Sequence, residues 1–326
     1  VNQPFPMTTF GFVLARDARA AGREAEFYAA VEAGRLHRVR VGVFRDPDGA
    51  SAMSPPERDA ARYRDLVRAV GISLKAPIFT SFAAIALAGL PIVGAWPRNV
   101  HIMSRDGRGS RRGDIVRVAR TAEIDTVTTD GLTATTIAFS LVQLARHASL
   151  ATALVATDAA LHVSRSADAP PPLTTLDELR AEHARLLPYH GSRRMDAVLA
   201  RATTDADSPL ETMSRLVVEE FGFPEPMLQH RLHLPGLDRD AYLDLWWPEH
   251  EIVGEADGRG KYVSGEAGST VDAVLAEKSR EDAIRSQVKG FARWDWKEMW
   301  RRDPIRDRLV AAGLPIMRKP VHLIVR

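Results

Sequence analysis

The chain of 326 residues contains no cysteine, which excludes disulfides, thiolate zinc sites and a cysteine nucleophile. Lysine is scarce too: six lysines stand beside 38 arginines, so arginine abundance by itself marks no basic face. Long apolar runs are missing. No segment reaches the roughly 18 uncharged apolar residues that a membrane span needs, and we expect no membrane partner. The opening stretch, VNQPFPMTTFGFVLARDARAAG, lacks a basic region followed by a long apolar core and a small-residue cleavage site. These absences lead us to expect a cytoplasmic protein.

What is present is ordinary in amount and uneven in placement. The length favours two or three domains, and 45% apolar with 26% charged residues suits a globular protein. The net charge of +2 hides an asymmetry. Residues 1–120 hold 19 Lys and Arg against 11 Asp and Glu, whereas the remainder holds 25 against 31. A basic front half points to a polyanionic partner. An acidic back half suits metal-binding carboxylates or a solvated surface.

In the front half, LARDARAAG predicts a short helix closed by Gly22, and REAEFYAAVEAGRL a second closed by Gly34. HRVRVGVFRD then alternates, with Val39, Val41 and Val43 on one face and Arg38, Arg40 and Gly42 on the other. Helix, turn, helix and wing is the order of a winged helix-turn-helix over residues 1–50, in which the second helix enters the DNA major groove. Arg23, Arg35, His37, Arg38 and Arg40 are the candidate DNA-facing cations. The alternative is a helical cap with a solvated charged rim.

Residues 51–166 read as an α+β middle domain. ERDAARYRDLVRAV and IFTSFAAIALAGLP are helical, the latter capped by Thr80 or Ser81 and stopped at Gly89-Leu90-Pro91. NVHIMS and DIVRVART are strands around a basic loop, Arg105 to Arg112, which either touches phosphate or is only solvated. TATTIAFSLVQLARHASLATALVATDAALH predicts a helix pair. His101, His147 and His162 read as ordinary histidines rather than ligands. The proline run in SADAPPPL marks a linker, so residues 167–204 are expected to connect the middle domain to a last domain at 205–326.

The last domain carries the chemistry. Ser208 caps a helix with Pro209 in its first turn and Glu211 close behind. MLQHRLHL, AYLDLWWP and HEIVGEAD predict three strands, TVDAVLAEKSREDAIRSQVKGF a charged helix, and PIMRKPVHLIVR one or two late strands. Glu255 and Asp257 lie one residue apart and share a strand face. Asp244 on the strand before and Glu211 at the helix start can join them. Four carboxylates at one point repel unless neutralised. A hard divalent cation, Mg2+ or Mn2+, meets that need through oxygen ligands and activates water for phosphodiester hydrolysis. An exposed strand end with Asp244 paired to an arginine is the competing explanation. Trp246, Trp247, Trp294 and Trp296 read as core or rim.

The ordered set SPLE, YLDLWWP, IVGEADGRGKY, EKSREDAIR and ARWDW resembles the nuclease-like domain of the PD-(D/E)XK superfamily, close to the very-short-patch-repair endonucleases. FVLARDARAAG, GRLHRVRVGVF, FTSFAAIALAGLPI and the paired-helix segment resemble AbiEi-type antitoxin regions. Together the matches span nearly the whole chain. The resemblance implies an α/β multi-domain protein with an N-terminal winged helix, an α+β middle domain and a restriction-endonuclease-like α/β core. It gives Asp244 the first metal-binding position, Glu255 the acidic position of the (D/E)-X-K element, and Glu211 the acidic residue of the first helix. Asp257 stands where the lysine of that element would be; Lys261 and Lys278 are the candidates to supply one. Two functions follow as expectations. One is a DNA-binding protein with a Mg2+- or Mn2+-dependent endonuclease domain, in phage defence or a toxin–antitoxin locus. The other is a non-enzymatic antitoxin and autorepressor with an inactive nuclease fold and a cognate toxin as partner.

Overall fold

The computed structural model describes residues 5–47, 53–120, 122–258 and 269–324. They form a mixed α/β protein with three sheets among the described residues. Two compact units divide the chain, residues 1–146 with 177–192 and residues 147–176 with 193–326. No described helix is long and apolar enough to cross a membrane.

The first unit opens with β1 (Phe12–Leu14), α1 (Ala15–Ala20), α2 (Glu24–Glu32), β2 (His37–Arg40) and β3 (Val43–Arg45), the strands pairing in the order β1-β3-β2. Gly22 and Gly34 follow the helices with φ of +69° and +70°, a backbone state that glycine reaches without a Cβ clash. Phe27 is the pivot of the small core. Its ring meets Phe44 edge-on at 4.9 Å, among Val13, Ala18, Ala30 and Leu36. The alternating run is a hairpin that folds back at Val41-Gly42, leaving Val41 75% exposed. Helix α3 (Pro55–Ser73) starts from a Ser54/Glu57 capping box and packs Ala69 and Ile72 against Phe12, Leu14 and Val43.

Next come β4 (Ile78–Phe79), α4 (Phe82–Leu87), β5 (Val100–Met103), β6 (Ser110–Arg112), β7 (Ile115–Val118), β8 (Thr126–Thr129) and β9 (Leu132–Thr135). They form a six-stranded sheet, β6-β7-β5-β4-β9-β8, in which β5 and β7 run parallel. Two predicted helices therefore start later than expected. Ile78-Phe79 and Leu132–Thr135 are strands, because each finds a partner in the other. Ser81 holds the cap position of α4 but makes no side-chain cap bond.

Four helices follow, α5 (Ile137–His147), α6 (Leu150–Leu161), α7 (Leu176–Leu186) and α8 (Ser192–Leu199). Helices α7 and α8 are the two expected between residues 167 and 204. Helix α7 belongs to the first unit, while α6 and nearly all of α8 belong to the second. The proline run folds back within the second unit, where Leu173 N donates to Ala160 O at 2.9 Å.

The second unit continues with α9 (Pro209–Glu220), β10 (Met227–Leu234), β11 (Arg239–Trp247), β12 (Ile252–Ala256), α10 (Ser269–Arg285), β13 (Gly290–Trp294), α11 (Trp296–Arg301) and α12 (Asp303–Ala311). The sheet order is β10-β11-β12-β13. The first three strands are antiparallel, and β13 runs parallel to β12. A parallel neighbour needs a crossover, and α10 lies between the two in sequence. The last strand is thus Gly290–Trp294, not the C-terminal PIMRKPVHLIVR. That tail hydrogen-bonds instead to the end of α9, Met317 N to Gly222 O at 2.8 Å and Val321 N to Glu220 O at 2.8 Å. Trp247 and Trp294 are core residues as expected, their indole N–H groups donating to Pro224 O at 2.8 Å and Ser214 Oγ at 2.7 Å.

Candidate functional site

A cavity of about 310 Å3 opens in the second unit beside β11 and β12. The antiparallel register pairs Leu245 with Gly254; one residue further, it sets Asp244 toward Glu255. Ala256 N donates to Asp244 Oδ2 at 2.9 Å, fixing that carboxylate across the strand pair. Asp257, just past the end of β12, extends the ladder by donating its N–H to Trp294 O at 2.8 Å. Asp244, Glu255 and Asp257 thus line one cavity.

Glu211 stands behind them. It accepts hydrogen bonds from Asp207 N (2.9 Å), Ser208 Oγ (2.7 Å) and Gln229 Nε2 (2.8 Å). Three donors hold it, so its first task is to close the start of α9. Gln229, with φ of +49°, also reaches Asp244 Oδ1 at 3.4 Å. It thereby bridges the two carboxylates.

Arginines answer much of the charge. Arg280 grips Glu255 with both nitrogens, at 2.7 and 3.3 Å, and Glu277 on its own helix at 3.0 Å. Arg293 reaches Asp257 at 3.2 Å, Glu277 at 3.3 Å and Glu281 at 2.7 Å. Five carboxylates and three arginines line the cavity, so a negative excess remains.

The excess falls on Asp244. Burial first, then the charges of Glu255 and Glu211, push its carboxyl up to about 8. Its direct hydrogen bonds come from a backbone N–H and an amide, and the nearest guanidinium serves Glu255. Asp244 therefore holds its proton more tightly than an ordinary aspartate. Burial lowers Arg280, but its bonds to Glu277 and Glu255 outweigh that and hold its pKa above the ordinary value.

Lys278 is exposed and does not line the cavity, and Lys261 lies outside the described residues. The cation beside the acidic strand end is Arg280, which the sequence reading passed over. Its signal was the three-residue spacing from Glu277 on a helix that follows the acidic strand.

Among the described residues, no three His, Asp or Glu side chains meet as a metal cluster. The donor chemistry still suits a hard cation. Mg2+ commonly takes one or two carboxylates and fills its other positions with water and phosphate, and Asp244 and Glu255 are two oxygen donors in one cavity. Glu255 becomes available only when Arg280 lets go.

The candidate DNA-facing cations divide. Arg35, His37 and Arg38 are exposed and make no ion pair among the described residues. Arg40 is engaged with Asp114 at 2.6 Å. Arg23 pairs with Glu26 at 2.8 Å and stacks its guanidinium on Phe5. Both serve the fold.

No family model matches the chain, and no curated protein matches it.

Proposed function

We propose that the chain binds duplex DNA through its N-terminal unit and that its C-terminal unit is a Mg2+- or Mn2+-dependent phosphodiesterase of the PD-(D/E)XK kind. The meeting of Asp244 and Glu255, from neighbouring strands, in a cavity with surplus negative charge carries this reading. Element order supports it: helix, three antiparallel strands, helix, and a fourth strand parallel to the third. Bound at Asp244 and Glu255, the ion would act as a Lewis acid and make a bound water a nucleophile at neutral pH. The residues do the rest. Asp244 and Glu255 would hold the ion as carboxylates, and Gln229 would keep Asp244 aligned with Glu211. Arg280, freed from Glu255, offers a planar fork suited to phosphate oxygens.

Arg35, His37 and Arg38, exposed along β2 and the turn before it, support the DNA-binding half. An AbiEi-like role in phage defence or a toxin–antitoxin locus, with a toxin as protein partner, belongs to the same proposal.

The Arg280 clamp on Glu255 favours a second reading, in which the fold persists without turnover and the protein is an antitoxin and autorepressor. Nicking of supercoiled DNA decides between them. The first reading expects nicking with Mg2+ or Mn2+ that stops with chelator and is lost in Asp244→Asn and Glu255→Gln. Nicking that survives both substitutions rejects the site. Sequence-selective DNA binding without added metal, and no nicking under any divalent ion, favours the second reading.

A further inference from the structure

A second cavity, of about 460 Å3, lies in the first unit, within the roughly 300–1,000 Å3 typical of small-molecule sites. It opens where the parallel strands β5 and β7 end and β4 begins. Ser104 N still reaches Val118 O there, at 2.8 Å.

Its walls are of two kinds. Lys75, Arg105, Arg117 and Arg120 supply four cations against one carboxylate, Asp106. That carboxylate is occupied, accepting from Ser104 Oγ and from Arg108 N. Lys75 and Arg120 are exposed and form no ion pair among the described residues. Arg105 is held at the mouth by the carbonyls of Lys75 and Ala76. Ala76 has φ of +44°, an uncommon state for a residue with a Cβ, and it aims those carbonyls. Below the cations the wall is apolar, formed by Ile78, Ile102, Met103 and Ile124; Ile102 and Met103 are buried.

Four cations around one cavity repel one another, and an apolar wall under them is poorly hydrated. Free phosphate relieves only the first cost, and an apolar molecule only the second. The geometry points to a nucleoside phosphate as the ligand of this cavity, its base against the partly exposed Ile78 and Ile124 and its phosphates on Lys75, Arg105, Arg117 and Arg120. Arginine forks suit phosphate oxygens, and a flat ring suits the apolar wall.

Calorimetric titration of the full chain with ADP tests this, in chelator so that the acidic cavity of the other unit cannot take nucleotide through a metal. ADP should bind, with adenosine and inorganic phosphate each at least about ten-fold weaker, since each lacks one half of the ligand. Lys75→Gln and Arg120→Gln, both at exposed positions, should each weaken ADP several-fold while circular dichroism stays unchanged. Should either variant fail to fold, the other carries the test, and the comparison of ADP with its two halves needs neither. Phosphate binding as tightly as ADP would reduce the cavity to an anion hole and overturn the proposal. So would a single-stranded oligonucleotide displacing ADP with the same dependence on Lys75 and Arg120, or no ADP binding at all.

Discussion

At the scale of single residues, Asp244 is the sensitive point. In an unfolded chain its carboxyl titrates near pH 4, whereas in the fold burial and the charges of Glu255 and Glu211 push it up to about 8. The folded form holds the proton more tightly, so the stability contribution is whole below about pH 4 and is lost as pH rises through about 8. In metal-free buffer, the midpoint for thermal unfolding of the C-terminal unit should fall across that window. Asp244→Asn, which resembles the protonated acid, should flatten the fall and be the more stable protein at high pH. Tryptophan fluorescence is the readout, because five of the six tryptophans belong to this unit. An identical pH profile in the variant would show that Asp244 is not the group responsible. Asp244, Glu255 and Asp257 were legible because strand alternation is a strong sequence rule; Asp207 and Glu277, which also line the cavity, were not. Arg280 was not, because its role depends on which face of α10 meets β12, and one sequence does not set that.

Elements show the same division. Helix α9 and strands β10 to β12 were legible from capping residues and alternating apolar positions. Strand β13 was not: Gly290-Phe291-Ala292-Arg293-Trp294 does not alternate cleanly, and it is a strand because β12 lies parallel beside it. Strands β4 and β9 are short and exist by pairing with each other, a long-range contact with no local signature. Helix α6 was legible as a helix but not in its allegiance. That is fixed by Asp158, which is 1% exposed and accepts from Thr203 N at 3.0 Å, Thr212 Oγ1 at 2.9 Å and Arg215 Nη1 at 3.1 Å. These bonds tie α6 to α9. Asp158→Ala strands a mostly buried arginine and should cost about 3–5 kcal/mol. Chemical denaturation followed by tryptophan fluorescence would measure it, and a loss below about 1 kcal/mol, the worth of an exposed pair, would show that α6 is held by apolar packing alone. Gly254→Ala probes the sheet: an added Cβ would lie 2.6 Å from the ring of Trp294 and 3.2 Å from that of Trp247. Overpacking of this kind should cost about 1–3 kcal/mol.

Across the whole molecule, the uneven charge makes the strongest quantitative demand. Residues 1–120 carry an excess of basic side chains and the rest an excess of acidic ones, so the DNA binding proposed above should depend steeply on salt and rest on the front half. Each phosphate neutralised adds about 0.9 to the slope of log affinity against log salt. Arg35→Ala and Arg38→Ala should therefore each lower that slope by about 1 and weaken binding to all sequences alike. Arg40→Ala should behave differently. Its guanidinium is already committed to Asp114, so the slope should hold while the first unit loses stability. Glu255→Gln should leave binding in chelator unchanged, because it alters the acidic cavity and not the basic face. Salt titrations by fluorescence anisotropy on the full chain separate these cases. A slope that ignores Arg35 and Arg38 but falls with Arg108 and Arg112, two exposed arginines at the β6 hairpin, would move the DNA face from the first hairpin to the six-stranded sheet.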